Sequence, residues 1–262
     1  MIATGYNSQP NQPTWPGQAQ FAGPILHSSA YRNGEPYRGQ RVLVVGFGNS
    51  GGEIAIDLYE HGAGSVALAV RSPVNVIPRE LFGIPITALA IAQRMLPPPL
   101  ADALNAPLMR IRFGHLGRYR LRKAADGPLT QIMKQRRIPL IDVGTLHLIR
   151  TGDVKVQPGI SAFTHRGVIF ADGTTEEFDA VILATGYQPT IDTFLAEAPT
   201  VTDEQGVPRA SGTETDVPGL YFCGFTNVPT GLLREIGIEA KRIARAISRS
   251  YATVATPMPG TR

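Results

Sequence analysis

The sequence predicts an α/β fold organised around a βαβ unit, and three observations carry the prediction. Arg41-Val-Leu-Val-Val45 is a run of four apolar residues, three of them β-branched, as a strand covered on both faces requires. Gly46-Phe-Gly-Asn-Ser-Gly51 follows it directly and leads into Glu53-Ile-Ala-Ile-Asp-Leu58, which reads as helix. Val66-Ala-Leu-Ala-Val70 then supplies a second apolar strand, completing strand, glycine turn, helix and strand.

The remaining elements follow in chain order. Residues 7–24 are rich in Pro, Gln and Gly and read as an irregular loop. Residues 80–135 read as mostly helical with proline breaks. From Asp153 to Thr185 the period becomes that of strands. Asp172-Gly173, between Val168-Ile-Phe170 and Phe178-Asp-Ala-Val-Ile-Leu183, predicts a hairpin within a small meander. Gly219-Leu-Tyr-Phe-Cys223 reads as a short strand. Leu232, Ile236, Ala240, Ile243 and Ile247 make one apolar face of a last helix, and the tail after Tyr251 is expected to fray.

Bulk properties narrow the function. The chain of 262 residues is long enough for one large domain or two ordinary ones. A net charge of +4 suits a phosphorylated cofactor or an acidic substrate without indicating nucleic acid. The basic run Arg118-Tyr-Arg-Leu-Arg-Lys123 reads as a solvated helix face. Cys223 is the one cysteine, which excludes an internal disulfide, a CxxC redox pair and a cysteine-rich metal site, and fits a reducing, cytoplasmic setting. The five histidines show no metal spacing. The N-terminus lacks a basic region followed by an apolar run, so it does not read as a secretory signal. The longest apolar stretch, Ile84 to Leu100, is broken by Gln93, Arg94 and three prolines and is too short for a membrane span of about 20 residues; it reads as a wall of the core or of a substrate channel.

The glycine turn has the context of a dinucleotide fingerprint. Gly46 permits the tight turn, Gly48 lets backbone approach a pyrophosphate, and Gly51 lets helix pack on strand. The helix N-terminus, with Asn49, Ser50 and Glu53 in its first turn, offers N–H groups and partial positive charge to the phosphates. About 20 residues beyond the last glycine an NAD site places a carboxylate. Here Arg71 and Ser72 stand there instead, and an arginine fork suits a 2′-phosphate, so the expected nucleotide is NADPH.

At this point the residues resemble a known family. Phe21-Ala-Gly-Pro-Ile-Leu-His27, with Tyr31 four residues on, is similar to the FxGxxxH signature of flavin-containing monooxygenases. GFGNSGGEIAIDL, VRSPVNVIPRE, IPLIDVGTLHLIRTGDVKV, FDAVILATGY and GLYFCGFTNVPTGLL resemble YUCCA-type members, whose substrate is indole-3-pyruvate. The resemblance implies an α/β flavoprotein fold of two dinucleotide-binding domains, the NADPH domain inserted in the FAD domain. It implies residues 1–38 as FAD-domain remnant and linker, 39–183 as NADPH domain and 184–262 as the C-terminal part of the FAD domain. The tetrapeptide ATGY occurs at Ala3–Tyr6 and again at Ala184–Tyr187; the first would leave the FAD domain and the second return to it. Thr4, Gly5, Thr185, Gly186, Gly224 and Leu232 become expected FAD-contacting residues. The implied reaction inserts one oxygen atom of O2 into a small organic substrate through a flavin C4a-(hydro)peroxide, with no side-chain acid–base pair. His27 is expected to order the linker rather than act as a base.

One departure stands out. The family carries an earlier GxGxxG for FAD, and this sequence has no second copy. The readings are a piece of a longer protein, a complementary FAD-domain half supplied by a partner, or an NADPH-binding module without flavin. A disulfide reductase, which shares the two-nucleotide architecture, is disfavoured by the missing CxxC.

Overall fold

Val42 to Val45 alternate in direction, as a strand requires. In the computed structural model, which describes residues 1–255, both faces of this strand are covered. Val42 and Val44 meet Ile54, Ala55 and Leu58 of the Asn49–Glu60 helix and Leu146 and Ile149 of the Thr145–Thr151 helix. Leu43 and Val45 meet Phe163, Val168, Phe170 and Phe178 on the other side. The strand sits at the centre of a five-stranded parallel sheet. Its order is Ile25–His27, Ala180–Leu183, Arg41–Val45, Ser65–Ala69 and Val154–Gln157.

The chain divides into two compact units. The larger holds Asn11–Thr185; the smaller combines Met1–Pro10 with the chain from Gly186 onward, so the larger interrupts the smaller. In the larger unit the meander Ile160–Phe163, Gly167–Phe170 and Thr175–Glu177 is antiparallel. The turn lies at Asp172–Gly173 as expected, but the strand returning from it is Thr175–Glu177; Ala180–Leu183 joins the parallel sheet instead. Its four consecutive buried residues explain why: only a central strand covers both faces. Residues 80–135 contain the helices Ile86–Ala92, Pro98–Phe113 and Pro128–Gln135. The Ile84–Leu100 stretch is less buried than a core wall demands, with Ile84 at 55% and Met95 at 84% exposure. The basic run is not a helix face. A 3-10 turn at Leu116–Tyr119 ends in a left-handed Arg120, and the chain then runs extended, Lys123 bridging Val74.

In the smaller unit, Gln9–Pro10 pairs antiparallel with Tyr187–Gln188. Gly219–Cys223 makes isolated bridges, Phe222 to Ile2 and Tyr221 to Glu214, rather than a strand. The final helix, Leu232–Ala255, runs past the point where fraying was expected; residues 256–262 lie outside the described residues. Its buried positions are Glu239 and Ile243, flanked by Ile236, Ala246 and Ile247, whereas Ala240 and Leu232 are exposed.

Arg41 and Asp179 pin the two central strands in register. The Arg41 N–H donates to Asp179 Oδ2 at 2.7 Å, and its guanidinium donates to both carboxylate oxygens at 3.1 and 2.8 Å. These bonds hold the Asp179 carboxyl at about 2. A depressed carboxylate stabilises the fold above its unfolded value, near 3.9, and that contribution is lost as pH falls from about 4 through about 2. Both side chains are about two-fifths exposed, so the gain is screened to about 1 kcal/mol. Asp179→Asn is expected to lower urea stability by that amount at pH 7 and by progressively less toward pH 2; an unchanged difference across this range would count against the clamp.

Candidate dinucleotide-binding site

The turn after the first central strand is shaped by backbone-to-backbone contact. Gly46 has φ +119, and a Cβ there would lie 2.3 Å from the Ala184 carbonyl oxygen. A Cβ on Gly51 would lie 2.4 Å from the Gly46 carbonyl oxygen. The protein itself therefore demands glycine at both positions. Gly48 differs: its φ of −101 suits any residue, and a Cβ would meet nothing within 4 Å. Its side-chain position is a cradle that a Cβ would fill, beside the N-terminus of a 12-residue helix. That is the arrangement in which a pyrophosphate approaches backbone and helix dipole together.

The other predicted residues fall in different environments. Asn49 Oδ1 accepts the N–H of Ile141 at 2.8 Å, tying the helix start to the Leu140–Asp142 strand. Ser50 and Glu53 are exposed in the first helical turns. Arg71 and Ser72 follow the Ser65–Ala69 strand at its carboxyl end, and the Arg71 side chain is exposed. The turn, the helix start and the strand end all belong to the larger unit.

Sequence reasoning missed the group that secures the linker to this helix. Tyr31 Oη donates to Asp57 Oδ2 at 2.5 Å, and the His61 ring lies 3.2 Å from Asp57 Oδ1. Burial, and then the adjacent carboxylate, push the Tyr31 hydroxyl well above the ordinary tyrosine range, so it stays a donor. The Tyr31 and Tyr37 rings stack at 6.0 Å. The i, i+4 spacing of Asp57 and His61 was readable; the tyrosine partner was not. His27 is buried at 4% exposure, and its Nδ1 accepts the Ser29 N–H at 3.1 Å, a linker-ordering contact.

The two ATGY copies flank the breaks between units. Gly5 and Gly186 are both left-handed, with φ +68 and +83. Thr4 is exposed. Thr185 Oγ1 donates to the Asn11 carbonyl at 2.5 Å, joining the two ends of the larger unit. Within the smaller unit, Tyr6 donates to the Phe225 carbonyl.

Gly224, with φ +86, donates its N–H to Glu239 Oε2 at 2.7 Å. Ser211 donates to the same oxygen at 2.9 Å, and Thr226 to Oε1. Glu239 is only 4% exposed, so these three donors replace its water. Burial, and then this carboxylate, push the Cys223 thiol up, which keeps it protonated and inert. Leu232 opens the following helix, its side chain 43% exposed. Among the described residues no group of His, Cys, Asp and Glu is arranged to hold a metal ion, and no helix is long and apolar enough to cross a membrane.

Two predictions separate these roles. Gly51→Ala is expected to cost about 3 kcal/mol through overpacking, whereas Gly48→Ala loses no more than the roughly 1 kcal/mol of a weakened N-cap but at least tenfold in dinucleotide affinity, read by urea denaturation and calorimetry. Equal destabilisation by both would show that Gly48 serves packing alone. Glu239→Ala strands one buried and two half-buried donors and is expected to cost about 3 kcal/mol; a loss under about 1 kcal/mol in a urea melt would show that the loop re-forms without it.

Residues 1–206 match the family model described as flavin-binding monooxygenase-like. The chain is 39% identical over 229 residues to indole-3-pyruvate monooxygenase YUCCA1 of Oryza sativa subsp. japonica, covering 86% of this chain and 56% of that protein. It is 38% identical over 260 residues to the probable indole-3-pyruvate monooxygenase YUCCA1 of Arabidopsis thaliana, covering 96% and 60%. The chain thus spans a little over half the length of these relatives. Among solved structures it is similar to cyclohexanone monooxygenase from Rhodococcus sp. Phi1 bound to NADP+, with a TM-score of 0.61 at 19% identity over 94% of this chain and 60% of that one. It is also similar to a flavin-containing monooxygenase from Stenotrophomonas maltophilia, with a TM-score of 0.58 at 22% identity over 93% and 61%. Those two likenesses concern the fold, which is that of flavin monooxygenases with two dinucleotide-binding domains. With a family match across most of its length, the chain belongs to the flavin-binding monooxygenase-like family.

Proposed function

We propose that this chain provides the NADPH-binding domain and part of the FAD domain of a monooxygenase that transfers one oxygen atom from O2 to a small organic substrate. The observation that carries the reading is the division of labour among the three glycines: two are required by packing, and the third leaves open space at a helix N-terminus. Bound NADPH supplies hydride, and FAD supplies the chemistry by which O2 is activated. The chain's part is positional. The N–H groups after Gly48 hold the pyrophosphate, Arg71 and Ser72 hold the 2′-phosphate, and Asn49 keeps the helix start in place. Within the smaller unit, Thr4, Gly5, Gly186, Gly224 and the helix opening at Leu232 are the residues assigned to FAD. The likeness to indole-3-pyruvate monooxygenases supports an aromatic 2-oxo acid, such as indole-3-pyruvate, as substrate. The buried thiol Cys223 accords with a reducing, cytoplasmic setting.

The deciding measurement is the visible spectrum of the chain after purification with excess FAD and gel filtration, followed by NADPH without oxygen. A retained flavin band that bleaches on adding NADPH is expected. NADPH binding without retained flavin would favour the second reading, a nucleotide-binding module whose FAD-domain complement lies elsewhere. Loss of both would overturn the proposal.

A further inference from the structure

The Pro98–Phe113 helix turns its acidic and amide side chains toward neighbouring elements and leaves an apolar face in water. Leu100, Ala103, Leu104, Pro107 and Ile111 are spaced three, one, three and four, which puts them on one side of the helix. All five are exposed, Leu104 at 60% and Ile111 at 82%. Met95, in the turn that leads to the helix, is exposed as well. The polar residues are engaged elsewhere. Asp102 accepts the N–H groups of Leu129 and Thr130 at 2.9 and 2.8 Å, and Asn105 exchanges amide hydrogen bonds with Gln93 at 2.8 and 3.1 Å. A helix whose outer face meets only water shows the opposite arrangement. The charge around the stripe is one-sided. At about 100° per residue, Arg110 and Arg112 fall on opposite sides of it, and both are exposed. From Arg94 to Arg118 the chain holds four arginines and one acidic residue, Asp102. Among the described residues none of these arginines forms an ion pair with a carboxylate.

We propose that this face is a peripheral docking surface for an anionic phospholipid bilayer, with the helix lying in the membrane plane. The inference stands apart from the nucleotide reading above. An interfacial helix pairs an apolar stripe with flanking cations: the stripe enters the boundary between headgroups and acyl chains, while arginine stems follow it and their guanidinium groups stay with the phosphates. The helix has 16 residues, and among the described residues no helix is long and apolar enough to cross a membrane, so this one lies on the surface rather than spanning it. Charge chooses between occupants. A second copy of the chain, related by a two-fold axis, would set a cationic patch against itself with no acidic residue to receive it. A bilayer with acidic headgroups satisfies both parts of the face. Each arginine near its surface adds attraction, and the stripe brings no hydrogen-bonding side chain into the acyl region.

The test is co-sedimentation of the full chain with vesicles of phosphatidylcholine alone and of equimolar phosphatidylcholine and phosphatidylglycerol. Binding to the mixed vesicles is expected, with binding to the neutral ones about tenfold weaker or more. The paired substitutions Leu104→Ser with Ile111→Ser, and Arg110→Gln with Arg112→Gln, should each lower partitioning onto the mixed vesicles about tenfold or more. All four side chains are exposed, so the urea midpoint of both variants should match the wild type. A second readout locates the helix. Cys223 is buried, so Leu104→Cys offers one accessible thiol for an environment-sensitive fluorophore, whose emission should shift to the blue on the mixed vesicles. No binding by the wild type, or binding undiminished by the paired serine substitutions, overturns the proposal. So does a concentration-dependent dimer, seen by sedimentation velocity without vesicles and abolished by the same pair, because the face would then be an interface between copies of this chain.

Discussion

The larger unit depends on one close approach of backbone to backbone. The Ala184 carbonyl lies where a Gly46 side chain would stand, and the Gly46 carbonyl lies where a Gly51 side chain would stand. Three segments, the end of the first central strand, the start of the helix and the end of its neighbouring strand, are thereby stacked without side chains between them. Because the contact is made of main chain, it sets the pitch of the helix on the sheet and hence the direction in which the helix N-terminus points. It also makes the first residue of the second ATGY a structural partner of the fingerprint. The Ala184 N–H donates to the Val45 carbonyl at 2.9 Å, which closes the same contact from the other side.

Around that contact the unit is held by polar clamps at its edges and apolar layers at its centre. Arg41 and Asp179 fix strand register at one end of the sheet, where charge is solvated and each bond is modest. Tyr31 and Asp57 fasten the Ile25–Tyr37 segment to the far end of the Asn49–Glu60 helix. Asn49 fastens its near end to Ile141. The helix is therefore anchored at both termini by side chains, while its middle, Ile54, Ala55 and Leu58, is held by packing. A site that must present backbone N–H groups to a charged ligand gains from this, because preorganised dipoles need not reorient on binding.

The smaller unit follows a different logic. Beside its apolar clusters around Phe222 and Ile243 it holds a buried carboxylate. Glu239 gathers Gly224, Ser211 and Thr226, so that the loop after Cys223 is defined by acceptors on the last helix. Broken pairs are costly at such a site, which makes the loop conformation specific even where few strand bonds exist.

Local pattern alone determined the strands and helix of the βαβ unit, its glycine turn and the turn at Asp172–Gly173. In each, neighbours in sequence are also neighbours in space, and period or turn chemistry reports them. The last helix was legible along most of its face, since Ile236, Ile243 and Ile247 pack inward as the spacing requires; Ala240 is exposed and Glu239 beside it is buried, because three distant donors satisfy the carboxylate. The basic run was legible as charge but not as place, since only the left-handed turn at Arg120 and the bridge to Val74 carry Arg122 to Arg71. Which strand Ala180–Leu183 pairs with, and which side chain Asp57 holds, were likewise decided by tertiary structure. Pairings between residues far apart in the chain depend on which surfaces the packed sheet brings together, and no local period encodes that.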